Sequence, residues 1–221
     1  MELKEAIDLR HSVRQYKDVP IEDNIREQLD EYVYLLSQQA GLTIQTVYDE
    51  PECFNARLAR YGRFENVKNY VVISGKKEKG LEERAGYYGE LFVLKAQTLG
   101  LNTCWVALTH GKSRAVLKEG EKEVILISLG YGMTQGVAHK NKDISVLAPD
   151  YEAAPEWFRN GVDASLKAPT ATNQQKFRIR LKDNNKAEIL TTGIGPYLKL
   201  DLGIVKCHFE LGADKENFEW A

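Results

Sequence analysis

The segment that decides the fold is Glu82–Leu99, with the sequence EERAGYYGELFVLKAQTL. It predicts the strongest helix of the chain. Its apolar residues Leu91–Leu94 follow one another without a break, so this helix keeps no continuous polar face and we expect it to be buried on most sides. A second apolar segment, Leu200–Leu211, predicts a buried helix near the end of the chain.

Apolar spacing predicts the remaining elements around these two helices. Further helices are expected over residues 2–10, 21–39 and 155–166, with short ones around 55–61 and at 113–117. Strands are expected over residues 42–48, 70–73 and 123–129, and a hairpin over 177–182 and 187–192, with 130–143 as a loop. Helices outnumber strands, and the strands come partly as hairpins, which indicates the α+β class.

The order of elements suggests an internal repeat. Glu90–Ala96 aligns with Asp201–Cys207, and the helix at 22–39 with its following extended run mirrors the helix at 155–166 with its following strand. Any two buried helices resemble each other, which is the alternative explanation, but the matching order of elements favours a pseudo-duplication. We therefore expect two half-units, residues 1–143 and 144–221, packed as one compact unit.

Composition excludes several classes of function. The chain has 221 residues and a formal net charge of −2, so it has no overall attraction to nucleic acid or to an anionic membrane. Its three cysteines and four histidines show no disulfide or metal-ligand spacing. The opening Met1–Glu5 is not a signal peptide, and no apolar run is long enough to cross a bilayer. A cytoplasmic protein without a metal is expected.

Two distant segments carry side chains that suit a phosphorylated heterocycle. Arg10, Ser12 and Arg14 alternate after the first helix, so an extended backbone would place two guanidinium groups and a hydroxyl on one side, as a phosphate requires. A solvated basic loop is the alternative. In the second half, Asn173 and Gln175 would share one side of an extended backbone and could read a heterocycle edge; a polar turn is the alternative there.

At this point four segments resemble the FMN-dependent nitroreductases. Arg10-x-Ser12-x-Arg14 resembles their phosphate signature, and Ala168–Gln175 resembles their Pro-Ser-x-x-Asn-x-Gln flavin motif, with Thr170 in the serine position. Leu99–Leu108 is similar to the segment beside the flavin ring, and Leu129–Gly132 with the basic residues after it is similar to the end of the phosphate site.

The chain also departs from the common family pattern. The Asn-x-Gln motif lies in the second half instead of after the first long helix, which resembles a branch in which two half-units are fused and one site forms within one chain. Lys176 and Phe177 replace the usual Pro-Trp, and Val106–Leu108 replaces a glycine-rich stretch.

The resemblance implies a nitroreductase-like fold with an antiparallel or mixed central sheet flanked by helices. It also implies bound FMN, a nicotinamide donor NAD(P)H, and nitro or other electron-poor acceptors, in a monomer or homodimer. No residue of the chain is expected to act as a catalytic acid or base, because the flavin carries the chemistry. The expected cofactor-binding residues are Arg10, His11, Ser12, Arg14, Ala107, Leu108, Lys140, Pro169, Thr170, Ala171, Asn173 and Gln175.

Two alternatives to an enzyme are open on the sequence. A non-enzymatic flavin carrier or redox sensor would have a closed pocket, and the bulky Val106 and Leu108 favour it. A scaffold that keeps the fold without the cofactor is the other alternative.

Overall fold

The computed structural model describes all residues, 1–221. The helices are α1 (Leu3–Leu9), α2 (Asp23–Ala40), α3 (Glu52–Asn55), α4 (Leu81–Thr98), α5 (Ile144–Leu147), α6 (Glu156–Ser165) and α7 (Leu198–Ala213). The strands are β1 (Thr43–Val47), β2 (Asn69–Lys76), β3 (Asn102–Val106), β4 (Glu121–Gly130), β5 (Phe177–Lys182), β6 (Lys186–Thr191) and β7 (Glu219–Trp220). The α+β class is confirmed.

The main sheet has four strands in the order β1-β2-β4-β3, and every neighbouring pair is antiparallel. Its central strand β2 is buried on both faces, because alternate side chains enter two different hydrophobic clusters. Val71 and Ile73 belong to the large core shared with the long helices, whereas Tyr70 and Val72 pack in a smaller cluster on the opposite face.

The second sheet combines the expected hairpin with a short third strand. Strands β5 and β6 pair antiparallel, with Phe177 opposite Thr191, and β7 adds to β6 in parallel. The hairpin turns through Asn184 and Asn185, whose φ angles are 59° and 54°. Asparagine tolerates this left-handed conformation better than most residues, which is why the turn could be predicted from the sequence.

Residues 102–106 form strand β3, which the apolar spacing did not predict. One local prediction is wrong. The helix predicted at 113–117 is absent, because hydrogen bonds to the main sheet hold this segment in an irregular conformation. Gln45 on β1 bonds both the N–H and the carbonyl oxygen of Val116, and the Tyr70 hydroxyl accepts from the Arg114 N–H. Such a short helix is too costly to nucleate against those partners.

Helices α4 and α7 cross at a contact that only glycine permits. A Cβ on Gly86 would overlap the carbonyl oxygen of Leu200, and a Cβ on Gly203 would overlap that of Glu83. The two contacts are reciprocal, since Gly86 and Gly203 occupy the same position after the helix starts at Leu81 and Leu198. The glycines therefore let two buried helices approach backbone to backbone.

This reciprocal contact also corrects the register of the repeat. Counted from the helix starts, the equivalent of Glu90 is Cys207 and not Asp201. The order α2-β1-β2-α4 matches α6-β5-β6-α7, which agrees with the predicted repeat, while the pseudo-twofold arrangement of two half-units stays a prediction. The boundary of the half-units near residue 143 stays a prediction. None of the helices combines the length and apolarity that crossing a bilayer requires.

We predict that Gly203→Ala destabilises the protein by about 1–3 kcal/mol, because the added methyl group meets rigid backbone and the helices must separate. Urea denaturation should show a lower midpoint with an unchanged slope. Lys199→Ala, on the exposed side of the same helix, serves as the control and should change the free energy of unfolding by less than about 0.5 kcal/mol. Equal midpoints for the two variants would contradict the proposed importance of the crossing.

Candidate active site

A cavity of about 320 Å³ lies beside the α4–α7 crossing, and we name it the main cavity because both motif segments of the sequence line it. Three segments from distant parts of the chain form its walls: residues 12–14, residues 104–109 and residues 169–172. Apolar side chains from β4 and α7 complete the lining, namely Ile125, Leu200 and Ile204. The two segments singled out in the sequence therefore do meet around one space.

The first wall presents Ser12 and Arg14. Their intervening residue Val13 is buried and its N–H bonds the carbonyl oxygen of Thr103, 3.0 Å away. Tyr16 is also buried, with its hydroxyl 2.7 Å from the Ser128 Oγ. These anchors fix the segment and leave Ser12 and Arg14 facing the cavity. The Arg14 guanidinium takes part in none of the ion pairs or hydrogen bonds of the structure, so it is free to meet an anion.

The second wall is the loop before β5, and its backbone differs from the prediction. Thr172, Asn173 and Gln175 have φ angles of 51°, 55° and 42°, so Asn173 and Gln175 do not lie on one extended strand. Both amides instead donate to the carbonyl oxygen of Lys140, at 2.9 and 2.8 Å. The Gln175 Oε1 also accepts from the Lys142 N–H. These amides tie the 140–142 linker to the loop and do not line the cavity.

Pro169–Thr172 provide the part of this loop that faces the cavity. The loop is held by Asp201, a carboxylate near the start of α7 that accepts from the Ala171 N–H at 3.0 Å and from the Gln174 Nε2 at 2.7 Å. Burial raises the pKa of Asp201 to about 6, although these two hydrogen bonds oppose the shift. Asp201 is therefore a titratable group in the cavity wall with no cation paired to it.

The third wall follows β3 and offers unpaired backbone donors. The N–H groups of Ala107, Leu108 and Thr109 make no hydrogen bond within the protein. Trp105, also in this wall, is fixed by a 2.9 Å bond from its Nε1 to the Glu90 carboxylate. Unpaired donors beside a fixed aromatic ring are suited to an acceptor atom of a planar ligand.

Arg10 is engaged elsewhere, contrary to the expected clamp of two arginines on one side. Its side chain is only 4% exposed, and its Nε lies 3.6 Å from the Glu90 Oε1. Its Nη2 donates to the carbonyl oxygen of Lys167. A fully buried carboxylate requires compensating charge, and Arg10 provides it for Glu90.

His208 completes this buried network. Its Nδ1 lies 3.0 Å from the Ala164 carbonyl oxygen and its Nε2 lies 2.9 Å from the Glu90 Oε1. Burial by itself would raise the pKa of Glu90, but the bond to His208 and the charge of Arg10 outweigh it and lower that pKa. His208 therefore lies between the Ala164 carbonyl oxygen and the Glu90 carboxylate and links the two helices that carry them.

The remaining expected residues lie outside the main cavity. His11 lines a separate space of about 210 Å³ with Arg10 and His139, where burial and the charge of Arg10 lower the pKa of His11. Lys140 is exposed and contributes its carbonyl oxygen to the amides described above. Of the expected set, the structure brings together Ser12, Arg14, Ala107, Leu108, Pro169, Thr170 and Ala171.

Two prominent residues of this cavity were absent from the expected set. Asp201 could have been noticed as an acidic residue within an otherwise apolar helical segment, which is costly unless it has a partner. Tyr197 lines the cavity with a φ angle of 59°, and no local signal distinguishes it from other aromatic residues.

With this geometry established, comparison with known proteins identifies the class. The sequence model of the family described as "Putative TM nitroreductase" matches residues 2–213. The chain therefore belongs to this nitroreductase family, which confirms the resemblance seen in the sequence. A search of the curated proteins gives no significant match.

Solved structures agree on the fold. A "putative nitroreductase" from Thermotoga maritima is 22% identical with a TM-score of 0.70, over 98% of this chain and 85% of that chain. A "putative nitroreductase in complex with FMN" from Desulfovibrio desulfuricans is 16% identical with a TM-score of 0.52, over 66% of this chain and 95% of that chain. B. megaterium NfrA2 is 17% identical with a TM-score of 0.51, over 66% and 73% of the two chains. The nitroreductase-like fold is thereby confirmed.

We predict that Glu90→Gln costs about 3–5 kcal/mol, because the isosteric amide leaves the buried Arg10 without its counter-charge. The free energy of unfolding in urea measures this loss. Glu83→Gln is the matched control on the same helix, since Glu83 pairs with Lys206 where both side chains are partly exposed, and it should cost at most about 1 kcal/mol. If both variants lost similar free energies of unfolding, the buried network would stabilise the protein no more than an exposed ion pair does.

A second prediction concerns pH. Because the pKa of Asp201 is raised to about 6, the folded protein binds its proton more tightly than the unfolded chain. The contribution of Asp201 to stability is then lost as pH rises through 6 and regained as pH falls towards 4. When the pH is lowered from 7.5 to 5, the free energy of unfolding of the wild type should rise by about 1 kcal/mol relative to that of Asp201→Asn. Urea unfolding at both pH values measures this, and Asp183→Asn in the exposed hairpin turn should show no such difference. If the wild type showed the same rise relative to Asp183→Asn as relative to Asp201→Asn, the pH effect could not be assigned to Asp201.

Proposed function

We propose that this protein is an FMN-dependent oxidoreductase that takes electrons from NAD(P)H and reduces nitro or other electron-poor organic compounds. One observation carries the proposal. Ser12 and Arg14 from one half of the chain and Pro169–Thr172 from the other line a single cavity, in a chain that belongs to the nitroreductase family.

The residues present fit FMN chemically. The unpaired Arg14 guanidinium and the Ser12 hydroxyl suit a phosphate. The free N–H groups after β3 suit an acceptor nitrogen or oxygen of a planar ring, and the apolar floor suits its face. Thr170 already accepts from the Gln175 N–H at 3.0 Å, and its own hydroxyl proton remains available to a ligand. The similar Desulfovibrio desulfuricans protein, solved with FMN, supports the same choice of cofactor.

When bound, FMN supplies the two-electron chemistry that links a nicotinamide donor to an acceptor. For a nitro acceptor, NAD(P)H and one proton from solvent give the nitroso compound, NAD(P)⁺ and water. The protein binds and orients the reactants. Asp201 holds the Ala171 backbone in place, and Glu90 holds Trp105 in the opposite wall. We assign no side chain as the proton donor, so the proton comes from water.

The structure weakens the sequence argument for a closed flavin carrier. Val106 is buried in the sheet and does not line the cavity, and Leu108 does line it but is 72% exposed at its edge. The bulk of these two residues therefore does not seal the site. Action in the cytoplasm, and the choice between monomer and homodimer, stay predictions.

An absorbance spectrum of the native protein with a flavin-to-chain ratio tests the proposal. One FMN per chain, bleached by NADPH without oxygen and restored by a nitro compound, is the expected result. Protein that is colourless and fails to bind added FMN would disprove it, and bound flavin that no nicotinamide reduces would favour a carrier.

Arg14→Ala should weaken FMN binding by about 10- to 100-fold, because a charge-assisted contact to the phosphate is lost. Fluorescence titration of the apoprotein with FMN measures the dissociation constant. Arg180→Ala removes an equal charge from the exposed face of β5 and should leave that constant unchanged. Matching constants for wild type and Arg14→Ala would remove Arg14 from the site.

A further inference from the structure

A second cavity of about 320 Å³ adjoins the main one. The two share three lining residues, Arg14, Trp105 and Thr109. Residues 61–64, which follow α3, line the second cavity on its other side. A ligand in this space would therefore lie directly beside whatever occupies the main cavity.

The charges lining this second cavity all have the same sign. Arg14 and Arg63 are its only charged lining residues. Neither guanidinium makes an ion pair or a hydrogen bond in the structure, although many other lysine and arginine side chains of the chain do. With Arg14 assigned to the flavin phosphate, Arg63 remains as an uncompensated cation at the cavity wall.

Aromatic rings form much of the remaining surface. Trp105 is fixed by Glu90, and Phe64 is held edge-on against Phe54 with ring centroids 5.1 Å apart. Tyr61 is 77% exposed and lines the cavity from outside the core. Flat apolar walls of this kind favour a planar aromatic ligand.

The backbone places Arg63 at the cavity by an unfavourable conformation. Arg63 ends a short 3₁₀ turn (Ala59–Gly62) with φ 56° and ψ 37°, the left-handed region that glycine adopts readily and arginine does not. Its neighbour Gly62 lies where a Cβ would crowd Phe64 and Thr109. A strained non-glycine residue at a ligand cavity is a recurrent mark of a functional position.

We propose that the second cavity selects aromatic acceptors that carry an anionic group, such as a carboxylate or a sulfonate, and that Arg63 binds this group. The proposal rests on the proposed function, since it names the acceptor class of the same site. The aromatic ring of the acceptor packs among Tyr61, Phe64 and Trp105, while its anionic group meets the guanidinium. Neutral acceptors of the same shape lose the second contact only.

The test compares 4-nitrobenzoate with 4-nitrobenzamide, which have the same shape and differ in charge. Equilibrium binding is measured by quenching of tryptophan fluorescence, since Trp105 lines the cavity, and kcat/KM is measured for both compounds with NADPH. Wild type should favour the benzoate by about tenfold in both measurements. The preference should shrink at high ionic strength.

Arg63→Gly removes the charge and also accepts the left-handed backbone, so the variant should fold at least as stably as the wild type. Its benzoate-to-benzamide preference should fall to less than about twofold, whereas Arg63→Lys should retain part of it. Arg57→Ala, an exposed arginine of the same loop that does not line the cavity, is the control and should keep the full preference.

Two results would overturn the proposal. One is a wild type with no preference for the benzoate. The other is an Arg63→Gly variant that still prefers the benzoate to the benzamide. If that variant also had a higher KM for NADPH, Arg63 would bind the phosphates of the donor and not the acceptor. The flavin-to-chain ratio of each variant reports separately on the proposed function. In protein without flavin, the fluorescence titration is made in an Arg14→Ala background, where Arg63 is the remaining charged residue of the cavity lining.

Discussion

The backbone contact between α4 and α7 is the constraint on which the rest of the structure depends. Gly86 and Gly203 remove the side chains that would separate the two helices, and each lies against the other helix's backbone. At this short distance between α4 and α7, dispersion contacts and the burial of apolar surface both stabilise the helix pair. The crossing also fixes the site, because α4 carries the acid that holds Trp105 and α7 carries the acid that holds the loop at Ala171.

Those two acids show how burial can have opposite electrostatic results. Glu90 is surrounded by Arg10, His208 and the Trp105 N–H, so its charged form is stabilised and its pKa is lowered. Asp201 has only uncharged hydrogen-bond donors, so burial dominates and its pKa is raised. Both hold a wall of the same cavity, yet one provides a fixed charge and the other a group that titrates near neutral pH. Rigidity and pH sensitivity are thus divided between two helices.

Much of the fold and part of the site could be predicted from the sequence. The long helices and the hairpin have clear apolar periodicity and turn residues. The segments around Ser12 and Thr170, which line the cavity, have recognisable motif spacing. The prediction of a helix at 113–117 was wrong because Gln45 and Tyr70, which are distant in the chain, bind the backbone of that segment. Which side chains of a motif face a ligand depends on partners of this kind.

The sequence alone determined the class of the protein, the positions of its main elements and the family of its site, because periodicity, turn residues and motif spacing are local properties. Only the tertiary structure decided that Arg10 compensates Glu90, that the amides of Asn173 and Gln175 bind the Lys140 backbone, and that Arg63 has no partner. A buried charge or amide must be paired with a group that lies near it in space. The order of residues in the sequence does not show which groups those are.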